Sequence, residues 1–141
     1  MKMPKGVEIL PHTADIKLKV TGESLPELFL TGLASMNRLL KPGFCEEEQE
    51  VSRVEKVELE APDSTVLLID FLSEVLTLGS LNRSIFCDCS FESISDHNLV
   101  ALLEGRSVNE VDLDIKAVTY HEADIVLNDQ GNFETIIVFD V

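Results

Sequence analysis

Three short stretches of this chain bring together side chains that can ligate, ionise or carry protons. The first is Pro11-His12-Thr13-Ala14-Asp15, a histidine and an acid at the entrance to an alternating run. The second is Ile136-Ile137-Val138-Phe139-Asp140-Val141, an apolar run that closes on an acid. Apolar residues this near the end of a sequence imply a docked strand and not a frayed one. Docking sets the Asp140 side chain close to the Val141 main-chain carboxylate. Two carboxylates held together repel unless a cation or a base lies between them, and hard cations such as Ca²⁺ or Mg²⁺ select oxygen donors of this kind. The residues leave two readings open: a carboxylate metal site, if Asp15 reaches the same place, or solvated terminal acids.

The third stretch is Asp114-Ile115-Lys116-Ala117-Val118-Thr119-Tyr120-His121. Read as one strand, it puts Lys116, Val118 and Tyr120 on one face and Ala117, Thr119 and His121 on the other. His121 is open to three roles: ligand, proton carrier or hydrogen-bonded structural residue. Lys116 either neutralises an acidic cluster, binds an anion or stays solvated. Asp70, inside an apolar helical run, is expected at the surface, and His97 in a structural turn. Gly-rich phosphate loops, GxSxG and HExxH are all missing, so the common enzyme signatures are silent.

The charge balance narrows the partners. Eleven Lys and Arg against 26 Asp and Glu give a formal charge of −15, which excludes the broad basic surface that phosphate binding needs. Direct nucleic-acid binding is not expected. The acids suit metal cations, basic protein surfaces, or simply solubility. The 45% hydrophobic content is that of a globular chain, and the length suits a single domain over residues 1–141. The N-terminal sequence lacks the apolar run of a secretory signal, and no run of about 18 apolar residues points to a membrane span. Of the three cysteines, Cys87 and Cys89 form a CxC pair and Cys45 stands apart. An odd count without a secretion signal favours a reducing, cytoplasmic compartment and inert thiols.

The elements that must position these residues follow from periodicity. A short strand is expected over Val7–Leu10 and a half-buried one over Asp15–Thr21, with Ile16, Leu18 and Val20 inward. Ser24 caps a helix, with Glu27 three residues on and Pro26 in the first turn; Pro42-Gly43 stops it. Gly32 on its apolar stripe suggests close packing. Val51–Glu60 reads as a strand. Asp63 or Ser64 caps a second helix, with Gly79 as its C-terminal cap. Strands follow near Arg83–Ser93, Asn98–Gly105, Ala117–Leu127 and Phe133–Asp140, the last two joined through the turn residues 128–132. This order lacks a βαβ rhythm. The fold class is α+β: a mixed, mostly antiparallel β-sheet packed with two amphipathic helices.

Taken together, the segments resemble the archease family. The resemblance rests on His12-Thr13-Ala14-Asp15-Ile16, Ser24-Leu25-Pro26-Glu27-Leu28-Phe29, the helix around Leu67–Leu76, Lys116-Ala117-Val118-Thr119-Tyr120-His121 and the terminal Phe139-Asp140-Val141. These occur in the family's order over nearly the whole chain. Two positions depart from it: Lys17 stands where Gly is common, and Phe71 where Trp is common. The resemblance implies a small cytoplasmic, chaperone-like protein, not itself an enzyme. Such a protein assists an RtcB-type RNA ligase in tRNA splicing and RNA repair, promoting its GTP- and metal-dependent guanylylation and multiple turnover. It further implies a divalent metal site on Asp15, Asp140 and Val141, with Ca²⁺ the expected ion and Mg²⁺ or Mn²⁺ as alternatives, and with His12, Lys116 and His121 in supporting positions.

Two other classes stand beside it. One is a small metal-dependent hydrolase with His121 or His12 as general base. The other is a non-catalytic interaction module whose acids are only a surface. The oligomeric state is left open.

Overall fold

Strand alternation and helical stripes meet at one hydrophobic core. The structure, a computed structural model, describes residues 15–141; the strand expected over Val7–Leu10 and the residue His12 lie outside the described residues. Among the described residues, strand β1 (Asp15–Gly22) leads into helix α1 (Leu25–Leu40), a 3-10 turn (Phe44–Glu46), β2 (Arg53–Glu60) and helix α2 (Ser64–Asn82). Then come β3 (Ser84–Ile94), β4 (Asn98–Ser107), β5 (Ala117–Thr119), β6 (Val126–Leu127) and β7 (Phe133–Asp140). The class is α+β as expected, but the strands form two sheets. One has β7 at its centre, with β1 on one side and β5 and β6 on the other; the second has the order β2-β4-β3. Every described pairing is antiparallel. The expected strand over Ala117–Leu127 is broken in two, because the chain turns at Tyr120–Ala123 before rejoining β7 as β6.

Both helices touch both sheets. Helix α1 lies on β1, β7 and β3, and α2 on β5 and the whole second sheet. Two packing faces explain the composition of α2. It is long and apolar enough to cross a membrane by length and hydropathy, contrary to the sequence expectation. Yet Leu67, Leu68, Ile69, Phe71 and Leu72 are all fully buried between neighbouring elements. An apolar helix packed on more than one side needs no single stripe. Phe71 joins Phe29 of α1 and Phe91 of β3, with ring centroids 5.7–6.2 Å apart, a spacing at which aromatic rings attract.

The helix ends follow the capping logic with two adjustments. Ser24 Oγ accepts from the Glu27 N–H at 3.3 Å, but Glu27 returns to the Glu23 N–H at 2.9 Å and not to Ser24 itself. Asp63 is the N-cap of α2, accepting from Val66 N–H at 2.9 Å. Gly79 does not cap α2. The helix continues to Asn82, and Arg83 closes it in a left-handed conformation at φ 48°. Gly79 is instead where β3 crosses the helix, since a Cβ there would sit 2.7 Å from the Ser84 carbonyl oxygen. Gly32 behaves differently: a Cβ would meet Ile137, Leu72 and Leu68 side chains at 3.5–3.6 Å, ordinary contact distance. Close packing does not require glycine there.

The cysteines also depart from expectation. Cys45, in the 3-10 turn, is bonded to Cys87, and Cys89 stays free. Cys87 falls at a register shift between Phe86 and Asp88, yet it and Cys89 both pack against the core while Asp88 between them is exposed. Joining residues 42 apart in sequence restricts the unfolded chain by about 4 kcal/mol in the loop-entropy picture.

The glycine geometry separates two variants that sequence would treat alike. Gly32→Ala should stabilise the fold by roughly 0.5–1 kcal/mol, because alanine favours a helix over glycine and its Cβ would make only ordinary van der Waals contacts. Gly79→Ala should destabilise it by about 1–3 kcal/mol, because backbone has to move. Urea unfolding followed by circular dichroism checks both, and equal effects would contradict the packing described.

Candidate functional site

The register of β7 decides where the acids go. Asp140 is the last residue of the central strand, and Asp15 is its direct partner on β1. Ala117 is its partner on the other side, and the Lys116 N–H donates to the Asp140 carbonyl at 2.7 Å. Residues directly opposite in an antiparallel pair project from the same face, with Cβ atoms about 5 Å apart. Phe139, Ile137, Leu18 and Val20 of the alternate set point to the helices and the core. Asp15 and Asp140 therefore share the opposite face at one end of the sheet. Val141 follows immediately and packs partly against the core.

The two acids differ in surroundings. Asp15 is exposed, whereas Asp140 is half-buried. Its Oδ1 is buried and has no hydrogen-bond partner among the described residues. A buried carboxylate oxygen is normally satisfied, and two like charges opposite each other on a sheet are unfavourable. Both features are met by a hard cation, which takes carboxylate and main-chain oxygens. The described residues hold no group of three or more His, Cys, Asp or Glu side chains placed for a metal. Among the described residues, side chains thus supply two carboxylates here.

Of the supporting residues, Lys116 is brought to this end. Its backbone is bonded to Asp140, and its side chain is exposed and forms no ion pair with a described acid. His121 is not. It lies four residues beyond Ala117, exposed in the turn after β5, with its N–H bonded to Thr119 Oγ1 at 3.3 Å. The reason is local: β5 ends at Thr119, so the strand that would align His121 stops short. His97 is structural as expected, its Nδ1 3.3 Å from the Ala61 carbonyl.

Lys17, next to the site, has a visible purpose. Its ammonium pairs with Glu122 from the β5–β6 turn. The pair spans the outward face of β7, where Val138 is only 2% exposed. The Glu122 hydrogen bond, and then its charge, raise the Lys17 pKa above the ordinary lysine value.

Comparison with known proteins gives a consistent answer. The model of the Archease protein family matches residues 8–141. Protein archease of Methanosarcina mazei is 31% identical, with 97% of each chain covered. Protein archease of Pyrococcus abyssi is 28% identical over 97% of this chain and 99% of that protein. In fold, the solution structure of Methanobacterium thermoautotrophicum protein 1598 superposes with a TM-score of 0.72 at 24% identity, covering 94% of this chain and 96% of that one. A Thermotoga maritima crystal structure, described as an archease and possible chaperone, gives a TM-score of 0.65 at 20% identity, with 100% of this chain and 99% of that one covered.

One contact escaped the sequence reading altogether. Asp70 is half-buried, and its Oδ1 accepts a short hydrogen bond from the Tyr120 hydroxyl. The bond ties α2 to the turn after β5. A signal was present in the sequence, since Tyr120 shares the Lys116–Val118 face and that face packs on a helix, but which helix residue it meets depends on how α2 is placed. The hydrogen bond to Asp70, with lesser contributions from burial and the carboxylate's charge, raises the Tyr120 pKa. The folded value then exceeds the unfolded value of about 10. The bond's contribution is complete below that unfolded value and is lost as pH rises through the folded one. Tyr120 is the only tyrosine and the chain has no tryptophan, so phenolate absorbance reports it alone. The titration midpoint should lie above 10 and fall back in Asp70→Asn. A midpoint unchanged by Asp70→Asn would remove the contact.

Proposed function

The chain belongs to the archease family, and from that premise we propose that it is an accessory factor of an RtcB-type RNA ligase. It promotes the GTP- and metal-dependent guanylylation of the ligase and its multiple turnover in tRNA splicing and RNA repair, in the cytoplasm. It does no chemistry on RNA itself. The description of the Thermotoga maritima relative as a possible chaperone is in keeping with an accessory role.

The observation that carries the reading is the pairing of Asp15 with Asp140 across β1 and β7, with an Asp140 Oδ1 that is buried and has no partner among the described residues. Asp15, Asp140 and the Val141 carboxylate would hold a divalent cation, Ca²⁺ or else Mg²⁺ or Mn²⁺. When bound, the ion offsets the mutual repulsion of the acids and offers open coordination positions to a partner. The chain's own residues do the rest. Strand pairing fixes Asp140 in register, so the carboxylates face outward together. Lys116, whose backbone N–H is bonded to the Asp140 carbonyl, brings an exposed positive charge to this end of the sheet that an anionic group of the partner can meet. The net charge of −15 repels RNA phosphates and speeds encounter with a basic, RNA-binding ligase.

The hydrolase alternative loses ground, because His121 does not join Asp15 and Asp140 in a cluster of ligating side chains among the described residues. The interaction-module alternative keeps one observation in its favour: the described residues hold no cluster of three metal-ligating side chains.

The test is a guanylylation assay of a cognate ligase in limiting metal. The wild-type chain should stimulate the ligase. Asp15→Ala and Asp140→Ala should each reduce stimulation about tenfold or more, with circular dichroism unchanged, as expected for loss of a metal ligand. Calorimetry with Ca²⁺, Mg²⁺ and Mn²⁺ runs in parallel. Full stimulation by both variants would reject the site, and tight ligase binding without cation binding would support the interaction module.

A further inference from the structure

We propose that Cys45–Cys87 is a site of reversible thiol–disulfide exchange, a clasp that a dithiol reductant opens to loosen the acidic run that follows Glu47 without unfolding the chain. The proposal goes beyond the ligase reading and does not rest on it.

Three observations carry it. First, the sulfurs are reachable. A cleft of about 190 Å³ is lined by both Cys45 and Cys87, with Arg38 on its wall; the Lys41 ammonium, from the same wall, is engaged by Asp112 and the Glu110 carbonyl. A neighbouring cation such as Arg38 stabilises a departing thiolate and so eases exchange.

Second, the two sides of the bond are held together by other means. The Asn37 side-chain amide donates to the Phe86 carbonyl at 2.9 Å, a buried bond from α1 to the residue before Cys87. Phe44, just before Cys45, is 6% exposed and sits in the core. The Arg106 guanidinium donates to the Cys45 and Glu47 carbonyls at 3.3 and 2.7 Å. These bonds keep the two backbones, with Cα atoms 5.5 Å apart, close enough to re-form the disulfide after it opens.

Third, what lies beyond the clasp is weakly held. Residues 46–50 are all exposed and include four glutamates. Apart from the Arg106 bonds, a Gln49–Glu47 contact at 3.4 Å and the last turn of the 3-10 helix are the contacts that hold this stretch. The remaining thiol does not interfere. Burial pushes the Cys89 pKa up to about 11, so it stays protonated and is a poor rival nucleophile for Cys87 two residues away.

The exchange balances simply. A reductant thiolate attacks one sulfur of the pair, and the other leaves as a thiolate, giving a mixed disulfide. The reductant's second thiol then attacks the mixed disulfide. Two electrons and two protons pass to the protein, which ends with two thiols, and the reductant ends as a disulfide.

The test uses the purified full chain, equilibrated natively with mixtures of reduced and oxidised dithiothreitol. Samples are quenched in acid and alkylated after denaturation. Intact mass should show one alkyl group on the oxidised chain and three on the reduced chain, and none and two, respectively, in Cys89→Ser. Hydrogen exchange should rise about tenfold or more within residues 44–52 on reduction, while α1, α2 and β7 stay protected. Any of three results overturns the proposal: three alkyl groups under oxidant, so that no pair forms; one group under native reductant, so that the pair is sealed; or loss of protection across the whole chain on reduction.

Discussion

The first sheet depends on one strand, and that strand is the last. β7 pairs along its whole length with β1, and its other edge carries both β5 and β6. Ile137, Val138 and Phe139 are at most 2% exposed, because a central strand is covered on both faces and both edges. Each acid near its end is therefore placed by hydrogen-bond register and not by the flexibility of a terminus. Were β7 to slip by one residue, every side chain would change face, and Asp140 would turn toward the core. The hydrophobic requirement of Ile137 and Phe139 is what holds the carboxylates outward and opposite each other.

The two helices turn that sheet into a core. Each packs on both sheets, so the apolar content of α2 serves two contacts at once. The Phe29–Phe71–Phe91 cluster joins α1, α2 and the second sheet at one point. Phe71 fills it without a polar ring nitrogen that would need a partner. Asp70 is its neighbour in sequence but faces the other way, toward Tyr120. One turn of α2 thus contributes a core aromatic and a surface tether, and the tether fixes the turn that ends β5.

Charge is distributed along the same lines. Most of the acids that make up the net charge are solvated, and several are paired locally: Glu122 with Lys17, Glu134 with Lys19, Asp88 with Arg106. Such exposed pairs contribute little to stability. Their effect is positional. Lys17–Glu122 covers Val138 on the outward face, and Arg106 anchors the loop that carries Cys45. Asp140 differs in having a buried carboxylate oxygen without a hydrogen-bond partner among the described residues, and this sets it apart from the general acidity of the surface.

Much of this was legible in the sequence. Alternation at period two, helical stripes and capping residues locate β1, α1, α2, β3, β4 and β7 to within a few residues, because these are local signals carried by neighbouring side chains. The same logic marks Asp15 and Asp140 as acids at strand ends. Local pattern could not show that the strands divide into two sheets, that β5 stops at Thr119 and leaves His121 in a turn, or that Gly79 serves a crossing strand and not a cap. Nor could it pair Cys45 with Cys87 or Tyr120 with Asp70. Each of these depends on which distant segments meet, and that is set by how the apolar faces of two helices and two sheets share one interior. The sequence by itself determined the elements and the kinds of chemistry available. Only the tertiary structure decided which of those residues face one another, since a strand's partner and register are chosen by burial across the whole chain.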